Sequence, residues 1–197
     1  MKRQFIVAHG FFAIIALAFW YYSLKGPGLV WNIFLALVAY DFSCLARVAK
    51  YQWLKAILLL AWLLFYPNTF YMLTDVVHMS FARDILTDKL SFIYYLIYMS
   101  SILLALVAGV LSVRYVINIL KMRNWLLQYS FMGIVSFISS LAIHIGRYAR
   151  LNSWNAITHP SLVIDEILKV FSYSEIHFVL GFTFMQILCL WLLVGKE

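Results

Sequence analysis

The amino-acid sequence predicts an all-α fold: a polytopic transmembrane helical bundle of about six spans, with N- and C-termini in the cytoplasm. Three observations carry this expectation. The 197 residues are 65% hydrophobic and only 12% charged, and their mean hydropathy is +0.90. Six stretches reach the roughly 20 predominantly apolar residues needed to cross a hydrocarbon core: about 5–22, 29–46, 53–74, 91–113, 126–146 and 176–194. Lys and Arg are shared unevenly between the loops that join them. Each stretch should be a helix, because an open sheet edge leaves backbone groups without partners in lipid. A single integral membrane domain over residues 1–197 is expected, with no room for a soluble catalytic domain.

The first stretch imitates a cleavable leader, with Lys2-Arg3, an apolar run and Ala16-Leu17-Ala18. His9 interrupts that run and the apolar character continues through Phe19, Trp20, Tyr21 and Tyr22, so an uncleaved first helix is expected. One side of the membrane receives Lys2, Arg3, Arg47, Lys50, Lys55, Arg114, Lys121, Arg123 and Lys196 in short, almost acid-free segments. The other receives Lys25, Arg83, Lys89, Arg147, Arg150 and Lys169, mixed with six of the eight carboxylates and four of the five histidines. The richer basic side is the cytoplasmic one by the positive-inside rule. The net charge of +7 is then an orientation signal, and no nucleic-acid partner is expected. Trp20, Tyr21, Tyr22, Trp31, Tyr51, Trp53 and Trp125 fall near span ends, where interfacial aromatics anchor helices.

Along the chain, His9 and Asp41 fall at comparable depth in the first two spans, suiting a helix-to-helix hydrogen bond or a proton relay. Pro67 stands in the outer half of the third span. It should bend the helix and free a carbonyl about one turn earlier, and Asn68 and Thr69 could satisfy freed groups or line a cavity. Residues 75–90 are expected to extend that helix outward before the chain turns back. Ser101, Ala105 and Gly109, four apart, form a small-residue stripe that permits close helix approach. In the long outer segment 147–175, Pro160 can open a helix. Val163, Ile167, Val170 and Phe171 follow helical spacing, so an amphipathic helix over about 160–171 should lie on the outer surface, as a lid or as interfacial packing. Cys44 and Cys189 are lone residues in different spans and suggest no disulfide or metal motif.

The chemistry-bearing residues gather on the outer side. Asp75 and His78 are three apart and share a helix face; Ser140, His144 and Arg147 share another, and His177 begins the last span at similar depth. Asp75, His78 and His144, with His177 as a weaker fourth, form a ligand set suited to a divalent metal such as zinc. Such an ion could activate water, with Glu175 or Glu166 as base. The same residues suit an ion-pair network in which Asp75 meets Arg147 or Arg150 and orients the helices. Arg147, Arg150 and Asn152, with Ser153 and Trp154, could grip an anionic headgroup; Asn68, Asn32 and Trp154 would line the pocket.

Trp31-Asn32-Ile33-Phe34-Leu35-Ala36, Tyr66-Pro67-Asn68-Thr69-Phe70-Tyr71-Met72-Leu73-Thr74-Asp75-Val76-Val77-His78, His144-Ile145-Gly146-Arg147-Tyr148 and Asn152-Ser153-Trp154 resemble the DUF1361 family. The resemblance covers nearly the whole chain, and the Pro-Asn…Thr-Asp-x-x-His stretch is its most specific part. It implies a bacterial multi-pass membrane protein, hence the plasma membrane, and no established activity. Asp41 lies in a segment that is mostly apolar in that family, outside any shared site.

The expected function is an outward-facing polar site, metal-binding in one version, that acts on a lipid or lipid-linked headgroup by hydrolysis or group transfer. The alternative is a non-catalytic small transporter or a scaffold subunit of a cell-envelope complex. Transport would require polar residues to continue through the middle of the bundle.

Overall fold

The computed structural model describes residues 1–24, 28–150, 158–171 and 175–194, and every element among them is helical. In chain order these are α1 (Lys2–Tyr21), α2 (Leu29–Val48), α3 (Gln52–Phe65), α4 (Pro67–Tyr71), two 3-10 segments (Met72–His78 and Ser80–Asp84), α5 (Lys89–Ile119), α6 (Trp125–Tyr148), α7 (Pro160–Val170) and α8 (Ile176–Leu193). Six stretches are long and apolar enough to cross a membrane, the third being the run Gln52–His78. Six crossings return the chain to the end it started from, here called the terminal end; the opposite one is the far end.

In the centre stand α2 and α5, each with 56% of its apolar window buried, against 17% for α1 and α8. The outer helices therefore expose large side chains such as Ile6, Phe184 and Leu192. Helices apolar on every side yet exposed are matched to lipid, not to water. Of the expected anchors, Trp20, Tyr21, Trp31, Tyr51, Trp53 and Trp125 are exposed, and Tyr22 is partly buried against the core. Asp88 caps α5 by accepting the Ser91 N–H at 2.7 Å, and these hydrogen bonds from Ser91 hold its carboxyl below the ordinary range. The 31 residues of α5 span about 46 Å at 1.5 Å per residue, well beyond a core of about 30 Å. Most of its extension past the expected 91–113 is at the terminal end, residues 114–119.

Pro67 interrupts the third span at Tyr66, whose backbone stays right-handed helical (φ −54°, ψ −39°) and whose N–H still bonds Trp62 O at 2.8 Å. The helix α3 stops at Phe65, and Pro67 opens α4 at its first position, where no amide hydrogen is needed. The carbonyls at the break are met by nearby side chains: Asn68 Nδ2 donates to Phe65 O at 2.9 Å and Thr69 Oγ1 to Tyr66 O at 2.7 Å. Beyond Tyr71 the chain tightens into 3-10 geometry in place of the expected continuing α-helix.

This displaced segment leans on α5 at Gly109. A Cβ there would come within 2.6 Å of Thr69 Oγ1 and 2.9 Å of Thr69 Cβ. Ser101 and Ala105, the rest of the small-residue stripe, are fully buried. Polar side chains join the helices elsewhere. Trp62 Nε1 donates to Ser112 Oγ at 3.0 Å between α3 and α5, and His9 Nε2 meets Asp41 Oδ2 at 3.3 Å between α1 and α2. The fully buried Gln186 of α8 donates to Ser136 O at 3.3 Å and to Ser140 Oγ at 2.8 Å on α6. Ser140 therefore faces α8 and joins two helices. Cys44 and Cys189 are free thiols.

Gly109→Ala should lower stability by about 1–3 kcal/mol, the usual cost of overpacking, because the atoms it meets are the short Thr69 side chain, held by its bond to Tyr66 O, and the buried Phe70 ring. Gly133→Ala, where nothing lies within 4 Å of the added Cβ, should be neutral or stabilising by up to about 1 kcal/mol. Thermal unfolding of both variants in one detergent compares them directly.

Candidate functional site

Three residues per turn make side chains at i and i+3 eclipse in a 3-10 helix, so Met72–His78 stacks Asp75 and His78 on one edge. Arg147, in the last turn of α6, reaches both. Its Nη1 lies 3.7 Å from Asp75 Oδ1 and its Nη2 donates to His78 Nε2 at 3.2 Å. Asn32, in the first turn of α2, donates from Nδ2 to Asp75 Oδ2 at 3.0 Å. The Asp75 side chain is 1% exposed and that of Arg147 24%, so the carboxylate is enclosed while the guanidinium stays open to a ligand. A carboxylate this enclosed needs a paired cation and hydrogen bonds to persist. Arg147 supplies the cation at 3.7 Å and Asn32 one hydrogen bond on Oδ2, while Oδ1 accepts none among the described residues.

A second pair sits one turn earlier on α6. His144 Nε2 meets Glu175 Oε2, just before α8, at 2.6 Å. The imidazole is held between the Tyr148 ring, stacked at 4.6 Å, and the Phe178 edge at 5.4 Å. Its side chain is 7% exposed and that of Glu175 40%, an arrangement that could pass a proton between an enclosed ring and an accessible carboxylate. Glu166, the other expected base, is engaged by Lys169 Nζ at 2.5 Å, which holds the ammonium above its ordinary range.

Below the charged cluster lies an apolar cleft of 460 Å³. Trp31 and Asn32 of α2, Pro67 and Asn68 at the break, and Ile143 and Gly146 of α6 form its walls, and Val163 and Ile167 of α7 close over it. Trp31 and Ile138, also in its lining, are exposed, so the cleft reaches the lipid-facing surface. Asn32 lines the cleft and donates to Asp75, so cleft and cluster adjoin at that residue, while Asp75, His78 and Arg147 stand outside the cleft lining.

The expected ligand residues thus divide. Asp75 and His78 share Arg147, His144 is bonded to Glu175, and His177 is exposed on the first turn of α8. Among the described residues no three His, Cys, Asp or Glu side chains come together as metal ligands. The cation between Asp75 and His78 is the guanidinium of Arg147. Arg150 is exposed just past the end of α6, in a left-handed backbone conformation (φ 54°). Asn152, Ser153 and Trp154 lie outside the described residues. Sequence reasoning missed the use of Asn32 as the donor to Asp75 and the role of Gln186. A lone amide within eighteen otherwise apolar-rich positions was the available signal for the latter.

Six apolar helical stretches around a polar site at one end define a multi-pass α-helical membrane protein. The chain belongs to the DUF1361 family of proteins of unknown function, whose family model matches residues 31–189. No curated protein and no solved structure matches it.

Arg147→Met should destabilise the protein by about 3–5 kcal/mol by stranding the buried Asp75 carboxylate. Asp75→Asn in the same chain should recover most of that loss. A double-mutant cycle on unfolding midpoints checks it; additive effects would mean that the two groups do not interact.

Proposed function

We propose that the protein binds an amphipathic anion, a lipid or lipid-linked phosphate, with its chain in the cleft and its head at Arg147. The observation that carries this reading is that Asn32 lines an apolar cleft reaching the exposed surface and also bonds Asp75, the partner of the partly exposed Arg147 side chain. The head of such a ligand wants a charge-assisted, two-pronged donor, and its tail wants walls without polar atoms. Arg150 would add a second cation beside the head, and α7 would close over the tail with Val163 and Ile167. By the basic asymmetry of the loops, the termini lie in the cytoplasm of a bacterial cell and the site faces outward across the plasma membrane.

A second reading, hydrolysis or transfer of the head group, is favoured by the His144–Glu175 pair one turn from Arg147. In it His144 takes the proton from a hydroxyl as its oxygen bonds to phosphorus, the P–O bond to the departing alcohol breaks, and the imidazolium, held by Glu175, gives the proton to that leaving oxygen. A metal-assisted version would hold a divalent ion on Asp75, His78 and His144, with His177 as a weaker fourth ligand and Glu175 as base.

Photo-crosslinking with a lipid phosphate analogue in detergent tests the binding. Arg147→Gln in a folded protein should weaken capture about tenfold or more, as for loss of a charged hydrogen bond. Ala142→Trp, which fills the cleft without touching the charged groups, should abolish capture of the chain-bearing analogue. Capture unchanged in both variants would leave the scaffold alternative.

A further inference from the structure

At the terminal end, remote from that site, the overhang of α5 and the first turn of α6 enclose a second hollow of 500 Å³. Arg114, Lys121 and Arg123 line it with Asn118, Gln128 and Val194, and no carboxylate is among the described residues of its lining. Its shape is built by specific bonds. The end of α5 turns through Lys121 N–H to Asn118 O and Met122 N–H to Ile117 O, both 3.2 Å. This is the paired pattern that usually puts glycine at the left-handed position. Here that position is Lys121 at φ 53°. Gln128 Nε2 then donates to Met122 O at 2.7 Å, which ties the turn to α6, and Asn124 caps α6 by accepting the Leu126 N–H at 2.8 Å. The positive dipole end of α6 opens beside the hollow.

Orientation in the membrane needs only a count of cations in a loop. It does not need them gathered around a braced concavity with amide donors between them. Depth also matters: residues 114–119 carry α5 about 9 Å past the expected span at this end, which puts the hollow at the level of the headgroup layer. We infer that it binds the phosphate of an anionic phospholipid in the leaflet at that end, the chemistry that basic pockets between membrane helices accept. Lys121 and Arg123 contact the phosphate, while Asn118 and Gln128 meet the glycerol oxygens.

The test uses the full chain in a neutral detergent, where insertion orientation plays no part. Unfolding midpoints and native mass spectra are recorded with phosphatidylglycerol, phosphatidylcholine and inorganic phosphate. Phosphatidylglycerol should bind and raise the midpoint well above phosphatidylcholine, and added salt should weaken the effect. Lys121→Gly and Arg123→Gln should each weaken phosphatidylglycerol binding about fivefold, and together about thirtyfold. Lys121→Gly should at the same time raise the lipid-free midpoint, because glycine suits φ 53° better than lysine. Ser23→Gly, at another left-handed helix end (φ 48°), should raise the midpoint and leave lipid binding unchanged. Equal responses to the two lipids would overturn the inference. So would full phosphatidylglycerol binding in the double variant, which would assign the lipid to the far-end cluster. A response to inorganic phosphate as large as that to lipid would overturn the phospholipid assignment.

Discussion

A proline inside a membrane span removes a donor where water cannot replace it, and the far half of this protein is arranged around that constraint. At Tyr66–Pro67 the third span ends one helix and starts another, and Asn68 and Thr69 meet the carbonyls at the break. Pro67 and Asn68 line the cleft there, and Thr69 stands so close to α5 that a Cβ at Gly109 would come within 2.6 Å of its Oγ1. A few residues on, the chain winds in 3-10 geometry where Asp75 and His78 meet Arg147.

Charge placement follows a related logic. In an apolar bundle each buried polar group needs a named partner, and the partners are spread across helices that are distant in sequence. Asp75 draws on α2 and α6, His144 on the segment before α8, and Gln186 on two serines of α6. These contacts therefore select one rotation of each helix about its axis, where lipid alone would accept many. Gln186 employs its amide nitrogen to bind α6 and α8 together.

The far-end site was partly legible beforehand. The spacing of Asp75 and His78 indicated a shared edge, and Arg147 was both an anion-binding candidate and one expected partner of Asp75. What the spacing could not convey is that one guanidinium bridges the carboxylate and the imidazole, between two side chains first read as ligands of a common metal. His144 looks equivalent to His78 on a linear reading, yet the turn of α6 points it at Glu175 instead. The lining of the cleft by α7 was visible only as an amphipathic pattern compatible with lid or packing.

What the sequence by itself determined are the properties that depend on local composition: six crossings, all-helical form, the break at Pro67 and the aromatic anchors. Each rests on transfer of short segments from water to lipid and on backbone hydrogen bonds closed within a few residues, so no distant part of the chain is needed to specify them. Only the tertiary structure decided which polar groups meet. A helix face can turn by a fraction of a turn at little cost in lipid, and the choice among such rotations is made by side-chain contacts between helices. Asn32 with Asp75, separated by 43 positions, and His78 with Arg147, separated by 69, are contacts of that kind.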